Sequence, residues 1–460
     1  MTTLRSNIDK VNGLRYIVDQ LKLQTSLAKR FLLSQPFITS ESLLELEFAN
    51  IEEVVGLLNK PTNSDVFQAI EVKLQQIHDI HGTIKRLSTS ENLDDVELFE
   101  IKRFAILNQE IDELILMLKL SFIKLPSLQM VVDILDPDRQ NIPNFYIYSS
   151  YSPELLKFRD QHKNLLSESP NEAEIIRQKA VLLEDEIREQ LSNQLHKFSN
   201  PLQKTLDLVS YLDIIIAKAK QAIELNLVKP TISNSNTTYL GLFNPQIKSL
   251  LEQQNKNFQS IDIALFSAPC LITGVNMGGK TVLLKTIALA QYLFQFGFFV
   301  PATTATIVIA DKILTSIGDD QSELSGLSSF ASEMMKVDEI IKKSRSNIRL
   351  LVLIDELART TNPEEGKAIV NATLDILDEN KVRSLITTHY SGLKWKGRKL
   401  SVRGLIAEKL TAQLTIKNIN DYMDYSLVEN GDKVSKNQAL EIAKLLCVDD
   451  DLLKKASKYL

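Results

Sequence analysis

Residues 274–281 constrain this chain more than any other stretch, because they fit the phosphate-binding pattern G-x-x-x-x-G-K-[ST]. They follow a short apolar strand candidate, and a helix is predicted to begin near Lys280. Glycines let backbone N–H groups converge on phosphate oxygens, and the helix start directs its unpaired N–H groups at the same anion. Lys280 is predicted to reach the β- and γ-phosphates, and the Thr281 hydroxyl to take one place on Mg²⁺. The predicted cofactors are therefore ATP and Mg²⁺. The predicted nucleotide-binding residues are Gly274, Val275, Asn276, Met277, Gly278, Gly279, Lys280, Thr281 and Val282.

Two further strand candidates end in residues suited to phosphate chemistry. An apolar run at 350–354 precedes Asp355 and Glu356, as expected for a buried parallel strand whose carboxyl end faces the ligand crevice of an α/β sheet. In an ATPase, Asp355 would hold the Mg²⁺ shell and Glu356 would orient and polarise the attacking water. The strand candidate at 384–388 precedes His389, which can sense the γ-phosphate through a hydrogen bond. The alternative is that these are incidental surface groups.

Composition is typical of a soluble globular protein. The chain has 460 residues, of which 44% are hydrophobic and 24% charged, enough for two or three cores. Its two cysteines, Cys270 and Cys447, have no paired spacing, which favours a reducing compartment and argues against a structural metal site. The sequence contains neither a signal-peptide pattern nor an apolar run of bilayer length. We therefore predict a cytoplasmic protein.

The charge distribution does not predict a nucleic-acid-binding surface. The formal net charge is −5, and residues 1–230 hold 26 basic against 33 acidic side chains. Nucleic-acid binding usually requires a basic stripe, because neutralising phosphates supplies much of the affinity. The N-terminal half has an acidic excess instead.

The first 230 residues predict an all-α region. Residues 1–135 are nearly free of glycine and repeat apolar residues at helical spacing, as in antiparallel helices that bury a shared seam. Helix breaks are predicted near 35–36, 59–61 and 91–97. The predicted domains are a helical domain at 1–150, a helical arm at 151–200, a return helix with a linker at 201–230, and the ATPase domain at 231–460.

The arm is predicted from two local patterns. Ser152, Pro153 and Glu154 form a helix-start signal, from which we expect one long helix. Residues spaced 4-3-4-3, with charged side chains between them, predict the narrow seam of a coiled coil. The seam positions are Ile176, Ala180, Leu183, Ile187 and Gln190. A second helix at about 201–227 returns the chain, and the polar segment 231–238 predicts a linker.

Two sets of side chains in the helical region have alternative interpretations. Tyr146, Tyr148 and Tyr151 could stack on nucleic-acid bases, or they could pack at the base of the arm, which we favour. His78 and His81 could hold a metal ion, but no third ligand lies nearby in sequence. A solvated helix face is the favoured interpretation of the two histidines.

The remaining elements of the second half are predicted from shorter patterns. Strand candidates lie at 306–311, 414–416 and 425–428, and a helix is predicted at 437–446. One face of that helix is apolar, which suits either a core or a subunit contact. Three aspartates at 449–451 predict a solvated cap before the last helix.

Several segments together carry a family resemblance. They are residues 273–281 with 300–302, residues 325–330 with Glu333 and Met334, residues 355–362, and residues 388–390. These segments resemble the ATPase domain of the MutS DNA mismatch-repair family over about 230–446. The motif is specific, because P-loop proteins in general do not share the asparagine-methionine-glycine-glycine turn at 276–279. The helical half is similar to the lever and clamp of that family. The predicted fold is therefore an α/β P-loop ATPase domain of the ABC type, preceded by an all-α lever and clamp domain with a coiled-coil-like arm.

The resemblance implies an ABC-type ATPase that dimerises so that each partner completes the other's site. The partner is either a second copy of the chain or a MutS-like paralogue, and the C-terminal helices help to dimerise. The serine-rich segment 325–330 resembles the signature loop that acts in trans. Its implied nucleotide contacts are Ser325, Gly326 and Ser328, with Ser328 nearest the partner's γ-phosphate. A small hydroxyl-rich helix start is also a suitable anion receptor, although a plain serine-rich loop is the alternative.

The chain departs from the family pattern at four positions. Val275 replaces a proline, Leu327 replaces an arginine, and Ala358 and Thr360 replace glycines. None of these changes removes an expected phosphate or Mg²⁺ ligand, so we expect hydrolysis to survive. No segment resembles the family's N-terminal mismatch-reading domain or a nuclease-like tail, and 460 residues leave no room for the former.

Two functions follow from the resemblance. In the first, a dimeric clamp closes on DNA, in mismatch repair or recombination, and ATP opens or slides it. In the second, the same ATPase acts on a protein partner, as in MutS-like factors that reactivate adenosylcobalamin-dependent lysine aminomutases. The family's usual role favours DNA, and the acidic N-terminal half favours a protein.

Overall fold

The structure, a computed structural model, describes most of the chain. The described residues are 2–140, 146–167, 169–274, 278–318, 329–359, 361–406, 422–429, 443–444 and 448–459. The chain divides into two compact units. The first comprises residues 1–21, 36–49 and 221–460, and the second comprises residues 22–35 and 50–220. The functional boundaries expected at 150, 200 and 230 stay predictions.

Eleven α-helices precede the first strand in the described part of the chain. They are α1 (Leu4–Asn7), α2 (Leu14–Asp19), α3 (Ser26–Ser34), α4 (Glu41–Leu58), α5 (Ser64–Leu74), α6 (His81–Ser88), α7 (Asp95–Leu118), α8 (Gln129–Leu135), α9 (Pro153–Leu165), α10 (Pro170–Leu195) and α11 (Ser199–Glu224). The predicted breaks at 35–36 and 59–61 fall between these α-helices. The break predicted at 91–97 is only partly correct, because α7 begins at Asp95. The all-α character predicted for this region is therefore confirmed.

The longest helix of the first 150 residues, α7, shows why this region is helical. The Asp94 side chain accepts a hydrogen bond from the Glu97 N–H, and the Glu97 side chain accepts one from the Asp94 N–H. This reciprocal capping satisfies two donors at the helix start. Leu98, Ile101 and Ala105 then begin a buried stripe on one face. Lys119 ends the helix in the left-handed region, with φ 55°.

The helix α2 packs with the C-terminal part of the chain. Its apolar residues Leu14, Ile17 and Val18 are buried, and α2 contacts two helices beyond residue 240. The Gln221 side chain donates a hydrogen bond to the Ile17 carbonyl, at 2.7 Å. The apolar face of α2 was expected to join a seam among the first 135 residues. It is covered by the first compact unit instead.

The arm consists of two helices rather than the single helix predicted from residue 153. The helix α9 ends at Leu165, and α10 begins at Pro170 with Ser169 as its N-cap residue. Proline has no N–H to donate and its ring clashes with the preceding turn, so it suits a helix start and not a helix interior. The two helices pack together and are joined by an ion pair between Arg159 and Glu184, at 2.7 Å.

The seam of α10 follows the predicted spacing only in part. Ala180 and Ile187 are buried, as the coiled-coil pattern predicts. Gln190 is exposed and Leu191 is buried in its place. Burying the leucine removes apolar surface from water, which is favourable, whereas the polar amide of Gln190 can remain solvated. The coiled-coil character of the arm stays a prediction.

Two of the three tyrosines at the start of the arm are packing residues. Tyr148 is fully buried, and its hydroxyl donates to Asp136 Oδ1 at 2.8 Å. The Tyr151 hydroxyl donates to the Ile134 carbonyl at 2.7 Å. Burial and the neighbouring carboxylate raise the pKa of Tyr148 above its usual value. Tyr146 remains 40% exposed. Packing at the base of the arm is therefore confirmed for Tyr148 and Tyr151.

A shared helix face was expected for the two histidines, and the structure does not show one. His78 precedes α6, whereas His81 is its first residue. His78 lies 3.8 Å from a Glu100 carboxylate oxygen, and His81 lies 3.1 Å from Asp79. Across the residues that the structure describes, no three metal-ligating side chains cluster.

The rest of the chain alternates strands and helices. The strands are β1 (Thr231–Ser233), β2 (Thr237–Leu242), β3 (Ile261–Leu265), β4 (Pro269–Thr273), β5 (Thr304–Val308), β6 (Lys312–Ser316), β7 (Leu350–Ile354), β8 (Arg383–Thr387), β9 (Arg398–Leu405) and β10 (Met423–Glu429). The helices are α12 (Pro245–Gln253), α13 (Lys280–Gln295), α14 (Ser329–Ser344), α15 (Pro363–Glu379) and α16 (Asp450–Ala456). The mixed α/β character predicted for this half is confirmed.

Two sheets organise these strands. The larger has the order β10-β9-β4-β8-β7-β6, with all neighbours parallel except the pair β9–β10. Its strands β7 and β8 are buried along their whole length, as expected for strands covered on both faces. Because the strands are parallel, the residues that follow β4, β7 and β8 meet at one edge of the sheet.

The second sheet has the order β1-β5-β2-β3 and corrects two predictions. The segment 231–238, predicted as a linker, forms β1 and the start of β2. Its β-branched residues suit a strand, and they pair with β5 in register. The strand candidate at 306–311 is shifted, because β5 ends at Val308 and a separate strand begins at Lys312.

The C-terminal predictions are only partly described. The strand candidate at 425–428 lies within β10, whereas residues 414–416 and most of 437–446 lie outside the described residues. The Asp449 side chain accepts a hydrogen bond from the Leu452 N–H at 2.9 Å and caps α16. Of the helices that the structure describes, none combines the length and apolar character that crossing a bilayer requires.

Arg383, the first residue of β8, links the two sheets and supplies a stability test. It is 9% exposed, and its Nη2 donates to the Ser235 carbonyl at 2.7 Å and to Ser267 Oγ at 3.3 Å. We expect Arg383→Ala to lower the free energy of unfolding by about 1–3 kcal/mol, since it removes a buried side chain and its hydrogen bonds, including the one from Nε to the carbonyl of buried Leu265 at 3.4 Å. Urea denaturation measures the change.

A surface arginine of the same unit provides the control. Arg349 forms an ion pair with Asp311 at 2.7 Å, with its side chain 46% exposed. Arg349→Ala should lower the free energy of unfolding by less than about 1 kcal/mol, because water screens exposed pairs. Equal losses in the two variants would contradict the role given to Arg383.

Candidate nucleotide-binding site

The turn between β4 and α13 has the backbone of a phosphate-binding loop at both ends. Gly274 follows β4 with φ 137°, and Gly279 precedes α13 with φ 72°. A Cβ at Gly279 would lie 3.1 Å from Tyr425 Cδ1, and one at Gly274 would lie 3.3 Å from Val402 Cβ. Both positions therefore need glycine for conformation and for space. Val275, Asn276 and Met277 lie outside the described residues.

Lys280 is the first residue of α13 and is nearly fully buried, with 3% exposure. Its ammonium donates a hydrogen bond to the Gly274 carbonyl at 2.7 Å, so the side chain folds back across the loop. Burial lowers the pKa of Lys280, while the carboxylates of Glu356 and Asp355 act in the opposite direction. A desolvated cation at a helix start, beside a glycine turn, is suited to bind an anionic phosphate.

Asp355 connects three segments at the carboxyl edge of the sheet. Its Oδ2 accepts a hydrogen bond from the Thr281 hydroxyl at 2.6 Å, and its Oδ1 accepts one from the Thr387 hydroxyl at 2.6 Å. Its own N–H donates to the Ser316 carbonyl at 2.8 Å. The structure therefore brings together Thr281 and Asp355, the two residues predicted to hold Mg²⁺.

The chemistry of this pair fits a magnesium ion. A hydroxyl and a carboxylate are hard oxygen donors, and Mg²⁺ in phosphate-transfer sites is held by one or two such groups together with phosphate oxygens and water. The helix α13 supplies Thr281 in its first turn, and β7 ends at Ile354, directly before Asp355. The donor set is thus fixed by two rigid elements.

Thr387 is a site residue that the sequence reasoning missed. Its hydroxyl donates to Asp355 and also accepts a hydrogen bond from the Glu356 N–H, at 2.9 Å. It therefore fixes the first two residues after β7 from the neighbouring strand. The sequence feature that could have identified Thr387 is its position at the end of a predicted strand, two residues before His389.

Glu356 lies in a tight turn with unusual backbone geometry. Glu356 has φ 48° and Ala358 has φ 61°, both in the left-handed region. The Glu356 carboxylate forms an ion pair with Arg359, at 3.1 Å. Ala358, which replaces a glycine of the family pattern, donates its N–H to Glu333 Oε1 at 2.7 Å and accepts from the Tyr390 hydroxyl at 2.7 Å.

His389 follows β8 and is exposed. Its ring lies 4.3 Å from the Tyr390 ring, between centroids. The preceding Thr388 is held in place, because its N–H donates to the Ile272 carbonyl and its hydroxyl accepts from the Tyr390 N–H. His389 thus lies near the ends of β4 and β8, and its role as a γ-phosphate sensor stays a prediction.

The predicted site is therefore described in part. The structure brings together Gly274, Gly279, Lys280, Thr281 and Asp355, with Glu356 directly after Asp355 and Val282 in the first turn of α13. Tyr425, which packs against Gly279, was not anticipated from the sequence. The serine-rich positions Ser325, Gly326 and Ser328 lie outside the described residues.

Comparison with known families agrees with this geometry. Residues 270–460 match the family profile of MutS domain V, which is the P-loop ATPase domain of its family. Residues 270–460 therefore form a domain of the MutS domain V family. The matched residues begin at Cys270 in β4 and include the phosphate loop, the turn after β7 and the end of β8.

Three individual proteins are similar to the chain over part of their length. The chain is 34% identical over 272 residues to the endonuclease MutS2 of Thermus thermophilus, covering 59% of this chain and 34% of the relative. It is 36% identical over 227 residues to the endonuclease MutS2 of Ligilactobacillus salivarius, covering 48% and 28%. It is 30% identical over 292 residues to the DNA mismatch repair protein MutS of Clostridium botulinum, covering 62% and 30%. The chain spans about a third of the length of the curated relatives it matches.

Proposed function

We propose that this MutS-family chain binds and hydrolyses ATP in the presence of Mg²⁺ and couples hydrolysis to the movement of a clamp on DNA. The observation that carries the ATPase part of the proposal is the network of Thr281, Asp355 and Thr387, with Glu356 fixed beside it. In it, a hydroxyl from the phosphate loop after β4 and a carboxylate from the end of β7, two strands away, meet at hydrogen-bond distance.

Each residue of the site has a proposed role in phosphoryl transfer. Lys280 and the N–H groups at the start of α13 bind and orient the phosphates. Thr281 and Asp355 would hold Mg²⁺, which when bound neutralises charge on the phosphate oxygens. Glu356 orients the attacking water and accepts its proton. Arg359 forms an ion pair with Oε2 of that carboxylate, at 3.1 Å.

The site is proposed to act within a dimer, either of two copies of the chain or of the chain with a MutS-like paralogue. In that scheme Ser325, Gly326 and Ser328 contact the nucleotide of the partner. The support is the family membership and the serine-rich composition of the segment. His389 is proposed to sense the γ-phosphate from the end of β8. A cytoplasmic location remains a prediction from the sequence.

DNA is the proposed substrate of the movement, in mismatch repair or recombination, without mismatch recognition. The relatives named MutS2 and MutS support it. The alternative is a protein partner, such as an adenosylcobalamin-dependent lysine aminomutase. The acidic excess of residues 1–230 favours that alternative, because a surface that binds DNA must neutralise phosphates.

A salt titration of DNA binding distinguishes the two. We expect the purified protein with a non-hydrolysable ATP analogue to bind labelled duplex or branched DNA at about 50 mM salt, and to lose at least about tenfold in affinity by 200 mM. Fluorescence anisotropy measures both affinities. The Lys280→Ala variant serves as the nucleotide-free control. No measurable affinity at the lower salt concentration would reject the DNA proposal and favour a protein partner.

A further inference from the structure

Glu333 is a carboxylate placed beside an apolar cluster. It lies in the second turn of α14 and is half-buried. Val337 and Ile340 of the same helix are buried in a core cluster that also contains Leu357 and Tyr390. A carboxylate in such surroundings costs free energy unless its oxygens are hydrogen-bonded. Its position therefore calls for a specific partner.

That partner is the backbone of the turn after β7. The Ala358 N–H donates to Glu333 Oε1 at 2.7 Å. Burial raises the pKa of Glu333, whereas this hydrogen bond and the charges of Arg359 and Lys336 act to lower it. The contact joins residues that are 25 positions apart in the chain, and it attaches α14 to the turn.

The turn itself needs this attachment. Ala358 has φ 61° and carries a Cβ, so its left-handed conformation costs about 1–2 kcal/mol. Such a conformation persists only where the surroundings fix it. Glu333 holds the Ala358 N–H, and the Tyr390 hydroxyl holds the Ala358 carbonyl at 2.7 Å. Gly366 makes room for Tyr390, because a Cβ there would lie 2.3 Å from the Tyr390 hydroxyl oxygen.

We propose that Glu333 is a positioning residue for ATP hydrolysis, which acts by holding the turn that carries Glu356. Glu356 is two residues from Ala358 and shares its left-handed conformation, with φ 48°. Losing the hold on Ala358 allows the turn to relax and displaces the Glu356 carboxylate. Because α14 starts at Ser329, within the serine-rich segment 325–330, a movement of this helix would be passed to Glu356 through Glu333. This inference rests on the proposed ATPase function.

The test is Glu333→Met, which removes the acceptor but keeps a side chain of similar length that packs against the apolar cluster. We expect the kcat for ATP to fall at least about tenfold, the lower limit for removing a partner that orients an active-site group. The KM and the dissociation constant for ATP should change less than about twofold, because the carboxylate of Glu333 accepts its hydrogen bond from Ala358, outside the phosphate loop. Phosphate release and equilibrium nucleotide binding are measured on the same preparations.

Two variants complete the experiment. Glu333→Gln keeps an oxygen that can accept from the Ala358 N–H, so it should recover most of the kcat. Glu339→Ala removes an exposed glutamate of the same helix that pairs with Lys312, and should match the wild type. A folded Glu333→Met with wild-type kcat, or a Glu333→Gln as slow as Glu333→Met, would overturn this inference but leave the proposed ATPase function standing. If the wild type releases no phosphate, the proposed function itself fails and the inference falls with it.

Discussion

Replacing Lys280 by alanine is expected to abolish ATP binding, with the dissociation constant raised at least about 100-fold, or about 2.8 kcal/mol. The buried ammonium lies at the first turn of α13, across the loop from Gly274. Its hydrogen bonds to phosphate oxygens would be charge-assisted and shielded from water, which makes them strong. Isothermal titration with ATP and Mg²⁺ measures the loss directly.

The fold should survive this substitution. Burial lowers the pKa of Lys280, which means that the charged form is disfavoured in the folded protein and contributes little to its stability. A matched control is Lys285→Ala, which removes a second lysine of α13 one turn further along and should retain ATP binding. ATP binding by Lys280→Ala with wild-type affinity would show that the phosphates are bound elsewhere.

Replacing Glu356 by glutamine is expected to stop turnover while ATP binding is retained. The amide has the same shape as the carboxylate but cannot accept the proton of the attacking water, and losing a positioned base lowers rates by about 10²–10⁴-fold. The contacts of Asp355 with Thr281 and Thr387 do not involve the Glu356 side chain. The phosphate and Mg²⁺ positions should therefore be unchanged.

Single-turnover hydrolysis of radiolabelled ATP, with binding measured in parallel, is the suitable assay. Glu364→Gln is the matched control, since Glu364 is exposed in the first turn of α15 and forms an ion pair with Lys367 at 3.2 Å. It should hydrolyse ATP at the wild-type rate. A Glu356→Gln variant that is as fast as the wild type would mean that another group activates the water.

The parts of the site that local sequence specifies could be predicted. The glycine turn, Lys280 and Thr281 follow a short-range pattern, and Asp355 follows an apolar run that has the length of a buried strand. Parallel strands bring such ends to one edge, which is why residues more than 70 positions apart could be expected to meet. The contact between Thr281 and Asp355 has that separation.

The residues that were missed act through tertiary contacts. Thr387 matters because β8 lies beside β7 and its hydroxyl faces Asp355. Tyr425 matters because the edge strand β10 brings its ring over Gly279. Neither contact produces a periodic pattern that could be recognised in a single sequence. The left-handed conformation of Ala358 was also hidden, since alanine does not mark such a position as glycine would.

The errors in the fold have local causes. The segment 231–238 is polar and rich in turn residues, yet its threonines and isoleucine pair with β5, so tertiary pairing outweighed composition. The arm breaks at Ser169 and Pro170, the same helix-start signal that was recognised at Ser152 and Pro153. The second signal precedes Ile176, the first seam position, so it divides the predicted helix without interrupting the seam.

Phosphate release from ATP by the purified wild-type chain tests the central claim most directly. The account predicts steady hydrolysis that requires Mg²⁺ and stops when EDTA removes it, because Thr281 and Asp355 are placed to hold the ion. Hydrolysis that continues in EDTA, or no phosphate release at any Mg²⁺ concentration, would contradict it.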